Sequence, residues 1–107
     1  MMLILDLQAE RCPNAMSLVR LSLTRAVQSG FEGTLQIRTL EPSLESKIKI
    51  FAELSSLPCT LVNSQSVSLS QERRDELLET EDIDTKELAH FSSEQFITVT
   101  INGVHHA

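Results

Sequence analysis

Tryptophan and tyrosine are absent from this chain, and four phenylalanines are its only aromatic residues. Aliphatic side chains must therefore build most of any core. Glycine and proline are scarce, three of each in 107 residues, and no stretch is repetitive or of low complexity. With 41% hydrophobic and 22% charged residues, the composition excludes a disordered chain. No apolar run approaches the roughly 20 residues needed to cross a bilayer. The apolar opening, Met1 to Leu7, lacks a basic start and meets Asp6 at once, so it reads as a strand and not as a signal peptide. Bases are outnumbered, nine against fifteen acids, for a net charge of −6. That balance disfavours general attraction to nucleic acid or to anionic lipid. Cysteine is limited to Cys12 and Cys59. Without a signal sequence the expected compartment is the reducing cytoplasm, where structural disulfides are uncommon. Two thiols with His90, His105 and His106 far off in sequence do not suggest a metal site, and none is expected.

What is present is patterned. Leu3, Ile4, Leu5 and Leu7 suggest a mostly buried strand. From Asn14 to Ser29 the residues Met16, Val19, Leu23, Ala26 and Val27 recur at helical spacing, and Gly30 supplies the stop. Thr34 to Leu40 alternates as a strand, Glu41-Pro42-Ser43 breaks it, and Ser43 to Ser55 reads as a second helix with Leu44, Ile48 and Phe51 on its apolar side. Cys59 to Gln65 is a third strand, and Phe96 to Ile101 a fourth that ends at Asn102-Gly103. Between these two lies an acidic stretch, about 66–95, with nine acids and three bases. It accounts for the whole excess of negative charge. Ser70 and Asp84 are placed to cap short helices within it, and its sparse apolar residues predict a loosely packed insertion.

The order β-α-β-α-β, insertion, β favours parallel pairing and an α/β two-layer sandwich with both helices on one face of the sheet. The length allows a single domain, residues 1–107.

One segment carries chemistry. Cys12 precedes Pro13 and a helix start, in a loop that leaves a strand. Unpaired helix N–H groups and the dipole favour a thiolate there, and Arg11 adds a neighbouring cation. Leu5-Asp6-Leu7, Arg11-Cys12-Pro13, Val19-Arg20, Glu41-Pro42, Ile48 and Phe51 together resemble the TusA/SirA-like sulfur carriers. The resemblance spans residues 3 to about 65 and the strand near 96–102. It departs from the family at Ala15, where the motif has a second proline, at Ala9 and Glu10, and at Glu41, where the family has aspartate.

The resemblance implies a βαβαββ sandwich with a mixed four-stranded sheet whose fourth strand is antiparallel. It also implies that Cys12 carries a sulfane sulfur as persulfide, that Pro13 sets the loop, and that no cofactor is needed. The partners would be a cysteine desulfurase or other persulfide donor and a sulfur-acceptor protein, in tRNA thiolation or related sulfur trafficking.

Other residues have weaker roles to fill. Lys47 and Lys49, with Arg20 and Arg25, could steer an acidic partner or a phosphate toward Cys12. Leu77, Leu78, Leu88 and Phe91 could anchor the insertion on a basic partner, which is the alternative reading of the chain as a regulatory or scaffolding module. Cys59 reads as a packed apolar residue, or as the second thiol of a redox switch. Direct nucleic-acid binding is not expected, and the expected state is a monomer.

Overall fold

The computed structural model describes residues 2–102. Gly103, His105 and His106 lie outside them. Eight elements follow in order: β1 (Met2–Asp6), α1 (Asn14–Gln28), β2 (Gly33–Thr39), α2 (Leu44–Leu54), β3 (Cys59–Ser68), α3 (Gln71–Glu79), α4 (Thr85–Leu88) and β4 (Ser93–Ile101). The strands form one mixed sheet in the order β1-β2-β4-β3. β1 and β2 pair in parallel, joined through α1, whereas β4 runs antiparallel to both of its neighbours. The last strand thus enters between β2 and β3.

Side-chain parity makes the two layers. Leu35 lies opposite Val99 and Ile37 opposite Ile97, while Cys59 pairs with Ile101. These side chains share one face of the sheet and meet Ala15, Met16, Val19 and Leu23 of α1 and Leu44 and Ile48 of α2 in a single core. Both long helices therefore cover the same face. α1 ends as its sequence predicts. Gly30, at a φ of 78°, donates to the Val27 carbonyl, and Phe31 donates to that of Ala26, which closes the last turn.

Two expectations are corrected. β1 is an edge strand with Met2, Leu3 and Ile4 exposed, because only β2 pairs with it and an open groove remains between it and α1. The insertion is shorter and better packed than its composition suggests. β3 continues to Ser68 and β4 begins at Ser93, so the inserted residues are 69–92. They are ordered by a second small core of Ala9, Leu40, Leu77, Ile83 and Leu88. The caps form as expected: Ser70 Oγ accepts from the Arg73 N–H at 3.1 Å, and Asp84 Oδ1 from the Glu87 N–H at 2.8 Å.

Candidate functional site

The connection from β1 to α1 is pinned at Leu7 and Ala9, both buried, and turns through Gln8, whose φ of 54° lies in the left-handed region. The Gln8 N–H is satisfied by Asp6 Oδ1 at 2.9 Å. Cys12 follows at the carboxyl ends of the parallel strands β1 and β2, where open α/β sheets commonly hold ligands. It is half-buried and packs partly against the main core. The Cys12–Pro13 peptide is cis, and α1 starts at Asn14 without a side-chain cap. The positive end of that helix therefore adjoins the Cys12 loop.

A second connection, from β2 to α2, supplies Glu41. Its carboxylate is buried and gathers four donors. Arg11 Nε lies 2.8 Å from Oε2, the Cys12 N–H 3.5 Å from the same oxygen, Ser43 Oγ 2.9 Å from Oε1 and the Ser43 N–H 3.5 Å from Oε1. Its own N–H donates to Thr39 Oγ1 at 2.9 Å. Burial by itself would raise the carboxyl pKa, but Arg11, Ser43 and the two N–H groups outweigh it and hold the group at about 2. Glu41 thus stays ionised and ties the two connections together.

This arrangement alters the part expected of Arg11. Its guanidinium bonds Glu41 and lies over the Phe91 ring, 5.0 Å from the centroid. It is held between the sheet end and the insertion, so its charge is matched first to a carboxylate. Glu10 is half-buried and lines a shallow depression with Asn14, Ser17 and Leu18 beside the first turns of α1.

Cys59 occupies the far end of the sheet. It pairs with Ile101, which is level with Gly33, whereas Cys12 is tied to Glu41 beyond the opposite end of β2. At about 3.3 Å per residue the rows between them span roughly 15–20 Å. A disulfide needs Cα atoms within about 7 Å, so this fold does not support the redox pair. Cys59 is buried, and burial pushes its thiol pKa up.

The basic residues also separate. Lys47 joins Arg20 at a groove of about 610 Å3 between α1 and α2, lined also by Met16, Phe51 and Leu54. Lys49 lies on the other side of α2, beside Cys59 and Thr60. Two residues apart on a helix is about 200° of rotation, so Lys47 and Lys49 share no face. Leu77 and Leu88 are fully or nearly buried in the second core, with Leu78 and Phe91 packed against it. As anchors for a partner, Leu77 and Leu88 are corrected: their apolar surface is consumed inside the chain.

Sequence reasoning did not find the ionic cluster on the open face of the sheet. Arg73, 6% exposed, bonds both oxygens of Asp6 at 2.7 and 3.0 Å, Glu94 at 3.2 Å and Glu76 at 3.2 Å. Arg38 completes it with two contacts to Glu94 and lies 5.0 Å from the centroid of Phe96. Burial would raise the Asp6 pKa, but Arg73 and the Gln8 N–H lower it below the usual carboxylate value. Only the Arg73–Glu76 spacing, three residues on one helix, was visible in the sequence; the remaining partners are distant in the chain.

Among the described residues no three His, Cys, Asp or Glu side chains gather as a metal site, and no helix is long and apolar enough to cross a membrane. No family model matches the chain, and no curated protein or solved structure is similar enough to match it.

Proposed function

We propose that this protein is a sulfur carrier of the TusA/SirA-like kind, working in the cytoplasm. It accepts a sulfane sulfur as a persulfide on Cys12 and relays it to an acceptor protein, for tRNA thiolation or a related route. The contrast between the two thiols carries this reading: Cys12 is half-exposed in a loop ahead of a helix N-terminus, whereas Cys59 is buried. The Cys12 thiolate attacks the outer sulfur of a donor persulfide, and the donor thiolate leaves. The acceptor thiolate then attacks the sulfur held on Cys12, which leaves as thiolate. Sulfur moves with its electrons balanced, and no metal or organic cofactor takes part.

In this scheme the loop ahead of α1 leaves the Cys12 sulfur open to donor and acceptor. Pro13 fixes the chain between the loop and α1. The test is to incubate the protein with cysteine and a cysteine desulfurase and to weigh it intact. The expected result is a gain of one sulfur that reductant removes, lost in Cys12→Ser and kept in Cys59→Ser. No gain with several desulfurases or with polysulfide overturns the proposal.

One observation favours a second reading. Arg11 is engaged by Glu41 and Phe91, and the outer side of α3 presents Glu72, Asp75 and Glu79 to solvent. A scaffolding module would use that acidic face on a basic partner, through charge and not through Leu77 and Leu88. Such binding would survive Cys12→Ser and weaken steeply with salt.

A further inference from the structure

The two edges of the sheet are built differently. β3 is interrupted by a bulge at Val62 and carries Thr60, Asn63, Gln65, Ser66 and Ser68. Bulges and polar residues are the usual guards of an exposed edge. β1 has no bulge, no proline and no lysine. Its sequence is Met-Leu-Ile-Leu-Asp, and Ile4 is 62% exposed.

The backbone of β1 can be assigned side by side. The Leu7 N–H donates to the Arg38 carbonyl at 2.9 Å, so Leu7 points its polar groups toward β2. Alternation then turns Leu3 and Leu5 toward β2, and Met2, Ile4 and Asp6 outward. Outward N–H and C=O groups on such a strand are a ready template for pairing with another strand.

We propose that the occupant is a second copy of this chain, paired antiparallel through β1 about a two-fold axis at Ile4. The pairing is self-complementary. Ile4 faces Ile4, Met2 faces Asp6, and these are the residues whose polar groups point outward. Leu3 falls opposite Leu5 on the helix side, next to a groove of about 430 Å3 between β1 and α1 lined by Leu3, Leu5, Ala26 and Leu35. No like charges are opposed, because Asp6 meets Met2 and is itself held by Arg73 of its own chain.

The axis stands perpendicular to the sheet, so the two sheets become continuous and both helix layers stay on one face. The Cys12 loops follow the carboxyl ends of the two antiparallel β1 strands and so lie at opposite ends of the seam. Dimerisation leaves them free, and this inference does not depend on sulfur transfer.

Light scattering during size-exclusion chromatography tests it. The mass rises with concentration from 12.0 kDa toward twice that value, with a Kd of about 1–100 μM for so small a contact. Ile4→Pro removes an outward N–H only, and proline is tolerated at such edge positions. It weakens association by more than about tenfold while keeping the native far-UV spectrum. Ile4→Lys does the same by placing two cations face to face, and Val67→Lys on β3 leaves the dimer intact. A single-chain mass at every concentration overturns the proposal, as does a dimer that survives Ile4→Pro or is lost in Val67→Lys.

Discussion

Arg11 and Glu41 join two connections of the chain that are thirty residues apart, with Nε and Oε2 2.8 Å from each other. The same carboxylate receives the Cys12 N–H, so the loop bearing the thiol is held from the β2–α2 turn.

Acid should loosen that hold. A carboxyl kept at about 2 in the folded chain and near 4.3 when unfolded contributes stability that is complete above the unfolded value. It is lost as the pH falls from about 4.5 toward 2. Since Arg11 is half-exposed, the contribution is roughly 1–3 kcal/mol after screening. Urea unfolding at pH 6 and pH 3 should show a smaller loss in Glu41→Gln than in the parent protein. An equal loss in both would assign the acid sensitivity elsewhere.

The thiols should differ in access. Brief treatment of the native protein with iodoacetamide should label Cys12, and Cys59 only slowly, at a rate at least about tenfold lower, because it requires local opening. Peptide mass mapping reads both sites. Labelling of Cys59 as fast as Cys12 would contradict its burial under α2.

Arg73 is the buried cation of the open-face cluster. Arg73→Ala leaves Glu94 facing only Arg38 and leaves Asp6 without its bidentate partner. A loss of roughly 3–5 kcal/mol is expected in denaturant titration. Adding Asp6→Asn should return part of it, since the carboxylate left without its partner is then neutral. If the double variant is no more stable than the single one, the two residues are not coupled.

Leu77 tests whether the insertion is a folded part of the domain. It is fully buried, and Leu77→Ala should cost roughly 2–5 kcal/mol of local or global stability. Hydrogen exchange should rise first in residues 69–92, while β2 and β4 stay protected. An unchanged exchange pattern would mean that the second core adds nothing to stability.

Much of this molecule is legible in local sequence. Met16, Val19, Leu23 and Ala26 repeat at helical spacing, Gly30 supplies the left-handed stop, Ser70 and Asp84 offer the first amides of their helices an oxygen, and Phe96 to Ile101 alternates with the pleat. Each of these depends on neighbours within a few residues, so the physics is readable from the order of side chains alone. The same holds for Cys12 and Pro13 ahead of α1, which mark the candidate site before any fold is known.

Tertiary structure decided the rest. That β1 is an edge and β3 lies beyond β4 depends on which strands pair, a choice made over the whole sheet. That Leu77 and Leu88 form a core with Ala9 and Leu40 rather than an open docking surface depends on where the insertion folds back. The partners of Glu41 and Arg73 follow from the same long-range closure: burial makes an unmatched charge so costly that Arg11 meets Glu41 and Arg73 meets Asp6 and Glu94 only once the chain has brought distant segments together.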